Sequence, residues 1–515
     1  MSQGRFVYNS INIDFEKNWS NFQVDKRSTQ SVSKSVSGIT KTLQFYNQDI
    51  ISLQRTLLTS SEIEQLEDWW EYIRDGSSFE LYRDKDMLLY IPFEGKSSNT
   101  SDGNSATFAR TGIANVLDPD TGLITQIAAS TDRFPDGNFG RGLLIEKAVT
   151  NLLDNTEDFT HADWTATDLT ATANQVISPD GTANADKLAA TNDEGNIYQD
   201  TATAINNTTG TFSIYLKCMQ DTVSGEIELQ DDTGTFLNGE TFIATTEWQR
   251  IEVTYTDSSA NANNWRAYIE INNNGDEVYV WGAQLEIGTQ YSTTYIEDAG
   301  ARNAESIYYD VSNLLPYNIT SWSIGFWFKS SYNYNNHIQG NARFFTITRS
   351  GVSDTHSGLY ITSAGNIEVD IYDESDTVAA NISYSGGGYI AQDTWCYIVI
   401  TCDATISNGV KMYLNGTLVG TSSSNSFSVT QGGRLYIGCD ISAGDEADGI
   451  FDDFIMEKRV LSASEITSRY NSNKAIGMRK NYWSAVKLAE SNFNPIQRIG
   501  LNRWDFEATF EEVLT

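Results

Sequence analysis

Short runs of alternating apolar and polar residues, separated by Gly, Asn, Ser, Thr and Asp, fill the sequence from about residue 95 to residue 475. A period of two places successive side chains on opposite faces of a strand. Many short strands joined by polar turns are typical of antiparallel sandwiches and jelly rolls. The central part of this chain is therefore expected to be almost entirely β-structure.

The same three-part pattern occurs twice in this region. Each copy begins with a strand whose apolar residues occupy every second position: Phe212, Ile214, Leu216 and Cys218 in the first copy, and Trp322, Ile324, Phe326 and Phe328 in the second. A Trp-containing strand follows at 247–257 and at 394–404, and a third apolar strand follows at 276–288 and at 433–441. We interpret the repeat as two related sandwiches in tandem.

Charge separates the ends of the chain from its middle. Residues 1–90 and 476–515 together carry 15 Lys+Arg against 18 Asp+Glu, whereas residues 91–475 carry 19 against 50. We therefore predict that the two ends form one small split α+β domain with a large acidic insertion. A net charge of −34 repels phosphate backbones and anionic lipid, so we expect no nucleic-acid partner and no membrane insertion.

The N-terminal part contains one helix signal among its strands. Thr59 and Ser60 precede Glu62 in a capping-box-like start, and apolar residues then follow at helical spacing as far as Ile73. The adjacent Trp69 and Trp70 lie on this predicted helix. One of them is expected to pack on its own sheet, and the other to pack there too or to contact a neighbouring subunit.

The start of the chain and its cysteines bear on location. The opening residues, MSQGRFVYNSINIDF, lack the features of a signal peptide, and no apolar run approaches the length of a membrane span. The four cysteines form no CxxC pair and are expected to be buried thiols. We expect a protein made in a reducing cytoplasm.

Residues 146–298 resemble the carbohydrate-binding-module-type jelly roll common in tailed-phage structural proteins. The resemblance is carried by three strings: NLLDNTEDFTHADW from Asn151, SPDGTANADKL from Ser178 and VYVWGAQLEIGTQYSTTYI from Val278. Residues 300–474 resemble a concanavalin-like laminin-G module, through SWSIGFWFK, VKMYLNGTLVG and GIFDDFIMEKRVLSASEI. A first strand typical of that module, MLLYIPFEGK at 87–96, precedes the jelly roll.

These resemblances imply a nested organisation of mainly β-structure. A jelly roll (146–298) lies within a laminin-G-like sandwich (87–145 plus 299–475), which itself lies within the split domain (1–86 plus 476–515). The split domain is similar to phage tail-tip proteins of the distal-tail type. The resemblance thus implies a non-enzymatic structural protein of the phage tail or baseplate, located in the virion after assembly in the host cytoplasm.

The partners implied by the resemblance are other copies of the chain in a ring, tail-tube and hub proteins, and host-surface glycans. Sugar binding needs an aromatic face with polar groups around it. We predict five candidate aromatics, off the core parity or in polar loops: Trp327, Tyr215, Trp265, Tyr332 and Tyr334. The alternative for each is packing against a neighbouring domain.

One constellation raises the alternative of a glycan depolymerase or β-glucanase. Glu368, Asp370 and Asp373 resemble the E-x-D-x-x-E pattern of glucanases with a concanavalin-like fold. Retaining hydrolysis needs two carboxyl groups about 5–5.5 Å apart. Asp373 is one methylene shorter than glutamate, and the set is incomplete unless the strand carries a bulge. The competing interpretation is a half-buried strand with Ile367, Val369 and Ile371 inward and its carboxylates in solvent.

The acidic middle also raises the question of a metal ion. Calcium prefers several oxygen ligands, and Asp452 and Asp453 are the candidates for a structural calcium site. The alternative is a pair of solvated or hydrogen-bonded loop carboxylates. No cofactor is required by any of these interpretations.

Overall fold

The computed structural model describes residues 106–472, apart from short gaps, and parts of both ends. The gaps are 203, 220–221, 259–262, 312–319, 334–340, 350–355, 374, 376, 386–389, 428–431 and 443. The described parts of the ends are 3–8, 11–18, 21–34, 40–58, 66, 69, 79–82, 87–93, 95, 475, 482–488, 496–498 and 503–512.

The described elements are 36 strands and one helix with defined bounds. The strands are β1 (Gln3–Tyr8), β2 (Ile11–Asn18), β3 (Asn21–Lys34), β4 (Thr40–Leu58), β5 (Phe79–Tyr82), β6 (Met87–Ile91), β7 (Thr107–Ala109), β8 (Ala114–Leu117), β9 (Ile124–Ile127), β10 (Leu143–Ile145), β11 (Val149–Thr150), β12 (Thr165–Thr167), β13 (Leu169–Val176), β14 (Ala185–Ala190), β15 (Gly195–Asp200), β16 (Thr209–Lys217), β17 (Val223–Asp231), β18 (Phe236–Ala244), β19 (Gln249–Thr256), β20 (Trp265–Ile271), β21 (Glu277–Ile287), β22 (Ala301–Arg302), β23 (Ser306–Asp310), β24 (Ser321–Ser330), β25 (Ala342–Arg349), β26 (His356–Ile361), β27 (Ile367–Tyr372), β28 (Val378–Tyr384), β29 (Trp395–Asp403), β30 (Val410–Leu414), β31 (Thr417–Thr421), β32 (Gly432–Ile437), β33 (Gly449–Glu457), β34 (Tyr482–Leu488), β35 (Ile496–Arg498) and β36 (Arg503–Glu512). The helix is α1 (Ala463–Ser472). The predicted mainly β fold is confirmed.

One antiparallel sheet joins strands from both ends of the chain. Its order is β2-β1-β5-β34-β36-β4-β3, and β35 pairs with β36. The longest pairing within it joins β3 to β4, which are 14 and 19 residues long. The two ends of the chain thus share a sheet, with more than 390 residues of chain between β5 and β34.

A first sandwich is built from two antiparallel sheets that cover 169–287 and 165–271. One has the order β13-β14-β21-β16-β19 and the other the order β12-β15-β20-β17-β18. Phe212, Ile214 and Leu216 of β16 point between the sheets and are fully buried, as their alternation predicts. The core between these sheets contains residues from Leu153 to Leu285.

A second sandwich has its own core. Its sheets have the orders β10-β33-β24-β29-β30-β31, with β6 pairing β33, and β28-β27-β26-β25-β32-β23-β7. Strand β6 lies opposite one end of β33, with Ile91 facing Phe454, and β10 lies opposite the other end. Residues before and after the first sandwich therefore share one core. The exact domain boundaries stay a prediction.

The segment that contains the first sandwich begins and ends at one place. Strands β11 and β22 pair with each other, with Val149 opposite Arg302 and Thr150 opposite Ala301. Buried ionic side chains surround this stem: Arg110, Arg133, Glu146, Arg302 and Glu305. Burial alone would raise the pKa of Glu146, but Arg302 and Arg133 outweigh it and lower that pKa to about 2.

Two further expectations concern cysteines and membranes. All four cysteines are buried and free, as predicted, and burial raises the pKa of Cys396, Cys402 and Cys439 to about 12. Within the described ranges, no helix has the length and hydropathy needed to cross a membrane.

Candidate functional site

The outward face of the sheet β12-β15-β20-β17-β18 carries four residues side by side in one row. Tyr198 lies opposite Tyr268, Tyr268 lies opposite Glu228, and Glu228 lies opposite Gly239. Their neighbours along each strand, such as Ile197 and Ile269, are buried in the core. Because successive strand residues alternate, this row faces away from the core. We call this row and its flanking side chains the tyrosine platform: Tyr198, Asp200, Glu226, Glu228, Gln230, Gly239, Arg266, Tyr268 and Glu270.

Two half-buried aromatic rings form the centre of the tyrosine platform. The rings of Tyr198 and Tyr268 are stacked, with centroids 6.5 Å apart and planes inclined by 21°. The guanidinium carbon of Arg266 lies 3.7 Å from the centroid of Tyr198. Arg266 Nε also donates a hydrogen bond to Asp200 Oδ1 at 2.7 Å. The stack and the cation–π contact hold both rings in defined positions.

Carboxylates surround these rings. Tyr268 Oη donates to Glu270 Oε2 at 3.1 Å, and Gln230 Nε2 donates to Glu228 Oε2 at 2.6 Å. Burial raises the pKa of both Glu228 and Glu270. The hydrogen bonds from Gln230 and Tyr268 oppose this shift, and repulsion from neighbouring carboxylates adds to it. Perturbed carboxyl groups beside aromatic rings are a common property of binding and catalytic sites. The arrangement offers apolar ring surface and hydrogen-bond acceptors to a polyhydroxylated ligand.

Gly239, which has no side chain, leaves room for neighbouring side chains at one end of the row. A Cβ atom added there would lie 2.2 Å from Glu226 Oε1 and 3.0 Å from the ring of Phe236. The Glu226 carboxylate and the Phe236 ring therefore occupy the space beside Gly239, on the outermost strand of this sheet. The row thus ends in a carboxylate and an aromatic ring at the sheet edge.

The structure describes four of the five predicted sugar-binding aromatics, and none of these four belongs to the tyrosine platform. Trp265 lies in strand β20, with 2% of its surface exposed, so its predicted position in a polar loop is wrong. Tyr332 is 5% exposed and stacks on Tyr291, with centroids 5.5 Å apart. Neither residue has a ring face available to a sugar. Tyr334 lies outside the described residues. Tyr215 is half-buried beside Trp281, with centroids 5.6 Å apart.

Trp327 points away from the main core, as its parity predicts, but it is covered. It is 5% exposed and belongs to a second apolar cluster on the outer face of its sheet. Tyr470 of α1 stacks on it at 5.8 Å, and Phe139 contacts it edge-on at 5.6 Å. A sugar cannot reach this ring because the helix and the 134–142 loop occupy the space. Packing by a neighbouring element, which was the stated alternative, accounts for Trp327.

The candidate hydrolase residues do not form a catalytic set. Glu368 and Asp370 lie on the outer face of β27, and both accept hydrogen bonds from Tyr360 Oη, at 2.9 and 2.7 Å. Asp373 instead accepts the backbone N–H groups of Ser375 and Thr377 in the following turn. The register irregularity between β27 and β28 places the extra residue on β28. Strand β27 therefore has no bulge that would turn Asp373 to the same face as Glu368 and Asp370.

The competing interpretation of this strand accounts for the structure. Ile367, Val369 and Ile371 are buried in the core, as that interpretation requires. Burial and the two carboxylates raise the pKa of Tyr360, because both acceptors favour the protonated phenol.

The candidate calcium residues are engaged by the protein itself. Asp452 is 2% exposed, and its Oδ2 accepts the backbone N–H groups of Asn138 and Phe139 at 2.7 and 2.8 Å. Asp453 is fully buried and accepts a hydrogen bond from Tyr90 Oη at 2.7 Å. In the part of the chain that the structure describes, no group of three or more His, Cys, Asp or Glu side chains could hold a metal ion. The stated alternative, hydrogen-bonded carboxylates, fits this pair.

The candidate interface residues are Trp69 and Trp70. Leu66 and Trp69 are helical, and both are fully buried within the chain. Trp69 therefore offers no surface to a neighbouring subunit. Trp70 lies outside the described residues.

Sequence reasoning missed Tyr198 and Tyr268, although the signal was present. In NIYQD and RAYIEI, each tyrosine occupies the parity opposite to the buried Ile197, Ala267 and Ile269. The criterion of an aromatic off the core parity would have selected both. Their pairing depends on a register between strands 70 residues apart, which the sequence does not show.

Comparison with known proteins identifies the fold of the second sandwich. Residues 303–467 match a family model, Laminin_G_3, described as the concanavalin A-like lectin/glucanases superfamily. This segment is therefore similar to a concanavalin A-like laminin-G domain, in agreement with the predicted resemblance. A comparison of the sequence with curated proteins finds no match.

The solved structures with partial similarity include two binding domains. The receptor binding domain of botulinum neurotoxin mosaic serotype C/D is 21% identical, with a TM-score of 0.27 over 33% of this chain and 40% of that chain. The binding domain of paraclostridial mosquitocidal protein 1 is 18% identical, with a TM-score of 0.27 over 32% and 41%. The chain thus spans about two fifths of the length of these structures. At such TM-scores, no functional conclusion follows from the likeness.

Proposed function

We propose that this protein binds a surface polysaccharide through the tyrosine platform. The observation that carries the proposal is the transverse row Tyr198–Tyr268–Glu228–Gly239, which places aromatic rings beside carboxylates on an open sheet face. Sugar rings present apolar C–H faces and polar rims, so they need both kinds of contact. The lectin and glucanase superfamily of the second sandwich supports the same ligand class.

The wider context is a structural role in a phage tail or baseplate. In this proposal, the sheet shared by the two chain ends assembles into a ring with tail-tube and hub proteins, and the acidic sandwiches project towards the host surface. Repetition around a ring would turn weak sugar sites into useful avidity, because each further contact becomes effectively intramolecular. Co-purification with tail proteins and labelling of intact virions test this location. Particles that lack the chain would contradict it.

The binding proposal is tested on a glycan array with the full chain. We expect binding to at least one polysaccharide, and we expect Tyr268→Ala to weaken it about tenfold or more, equivalent to about 1.4 kcal/mol. Tyr372→Ala is the matched control, because Tyr372 also lies on an outward sheet face, that of β27. Equal binding by both variants would refute the platform, and an array without a hit would refute the function.

A further inference from the structure

A cleft of about 440 Å³ lies between the two sandwiches, apart from the tyrosine platform. The first sandwich contributes Tyr215, Arg250 and Glu252 to its lining, and the second contributes Ser331, Gln392 and Asp393. A volume of this size is in the range of small-molecule sites, which also favour junctions between domains. Because both sandwiches line it, the cleft exists only in the assembled chain.

The wall from the first sandwich is held in place before any ligand arrives. The guanidinium carbon of Arg250 lies 5.1 Å from the ring centroid of Tyr215. Arg250 also donates hydrogen bonds to Thr293 O at 2.6 Å and to Ser213 Oγ at 3.0 Å. Trp281 lies opposite Tyr215 on the neighbouring strand and packs beside its ring, with centroids 5.6 Å apart. Such fixed side chains reduce the entropy that a ligand must lose on binding.

Two buried polar atoms on residues that line the cleft have no hydrogen-bond partner in the described part of the chain. They are Nε of Arg250 and the hydroxyl oxygen of Tyr291. Tyr291 is 3% exposed and stacks on Tyr332. Leaving a buried donor unpaired costs about 1–3 kcal/mol, so such atoms call for a ligand or water.

The charges on the two walls select the kind of ligand. Glu252 Oε2 accepts the Ser292 N–H at 2.7 Å on one wall, and Asp393 lies on the other. Partial desolvation raises the pKa of Asp393, although the residue is exposed at the surface. The charge of Lys329 opposes that shift, and the charge of Glu252 adds to it. Two facing carboxylates repel an anion, whereas they accept hydrogen bonds from hydroxyl groups.

We propose that this cleft is a second binding site, which takes one or two uncharged sugar units. Tyr215 provides an aromatic surface, Arg250 provides a donor, and Glu252, Gln392 and Asp393 provide acceptors for ring hydroxyls. The proposal rests on the proposed function only for the choice of ligand class. Because the two walls come from different sandwiches, binding there also ties one sandwich to the other.

The test uses the full chain with Tyr198→Ala and Tyr268→Ala, which removes the platform rings. Cellobiose, maltose, lactose and diacetylchitobiose are titrated into it by calorimetry. We expect at least one of the four to bind, and we expect Asp393→Asn and Gln392→Ala to weaken that binding about tenfold. Both residues are exposed, so these variants are expected to fold. Glu247→Gln, an exposed acid outside the cleft lining, is the control and leaves binding unchanged.

The outcomes separate the two proposals. If none of the four disaccharides binds the platform variant, or if the cleft variants bind as well as the control, the cleft proposal is wrong. If polysaccharide binding is then lost in the variant without the platform rings and unchanged in Asp393→Asn, the proposed function stands. If the cleft variants weaken sugar binding and the platform variants do not, the platform proposal is wrong and the cleft proposal stands.

Discussion

Arg133 donates to both carboxylate oxygens of Glu305, from Nε to Oε1 at 3.0 Å and from Nη2 to Oε2 at 2.6 Å. Both side chains are fully buried, and 172 positions of sequence separate them. Arg110 Nη1 shares the same carboxylate at 2.6 Å. Glu305 thus pairs with two buried guanidinium groups beside the stem where the first sandwich leaves the second, and Glu146 pairs with Arg133 as well. Two parallel hydrogen bonds between an arginine and a carboxylate help to offset the free-energy cost of removing both charges from water.

We expect Glu305→Gln to destabilise the chain strongly. The amide removes the carboxylate charge that pairs with Arg110 and leaves Arg133 with Glu146 as its acidic partner. Breaking a buried pair typically costs about 3–5 kcal/mol. Thermal unfolding followed by calorimetry measures the loss. Glu277→Gln is the control, because Glu277 pairs with Lys187 at the surface, where such a pair contributes less than about 1 kcal/mol. Similar shifts in both variants would contradict the role assigned to Glu305.

Trp327→Ala separates packing from sugar binding. Removing a buried aromatic from the cluster with Tyr397, Leu461 and Ile466 is expected to cost about 3–5 kcal/mol. Polysaccharide binding by the folded fraction should remain unchanged, since the ring is covered by α1. Leu418→Ala, at an exposed position, is the control for stability. A variant that keeps its thermal midpoint and loses binding would restore Trp327 as a ligand contact.

Stability should fall as pH rises, in part because of Asp452. Burial raises its pKa from 3.8 to about 7, and the charge of Asp453 adds to this, although hydrogen bonds from Phe139 and Asn138 oppose it. The folded state therefore binds the proton more tightly than the unfolded state, and stability contributed by the protonated form is lost between about pH 4 and 7. The linked loss is on the order of 4 kcal/mol.

Asp452→Asn should remove this component. The amide oxygen can still accept the two backbone N–H groups, and it carries no titratable proton. We expect the thermal midpoint of the variant to match the wild type near pH 4 and to exceed it near pH 8. Asp232→Asn, in an exposed turn, serves for comparison and should follow the wild type at both values. Parallel pH profiles for Asp452→Asn and the wild type would disprove the assignment.

The alternation of apolar residues predicted the strands and their inward faces correctly. Phe326 and Phe328 point into the core and Trp327 points out, because a period of two admits no other arrangement on one strand. What covers the outward face was not predictable from that strand. The cover of Trp327 comes from Phe139, which is 188 positions earlier, and from Tyr470, which is 143 positions later.

The acidic residues show the same limit. Asp452 and Asp453 have the composition of a calcium site, but their partners are the backbone N–H groups of a loop more than 300 positions away and the hydroxyl of Tyr90. The local sequence carries no information about those donors. The two tyrosines of the platform could have been predicted from the sequence, because each has the parity opposite to the buried residues of its own strand. Only the register that brings Tyr198 opposite Tyr268 required the structure.

The pairing of β11 with β22 affects how such a chain can evolve. Neighbouring strands lie about 4.8 Å apart, so the polypeptide that departs at Thr150 returns at Ala301 almost where it left. Any module whose own termini are that close fits the same stem, and recombination can exchange one for another without disturbing strands β10 or β23. Ligand preference can therefore change through cassette replacement, while the parent sandwich is inherited intact.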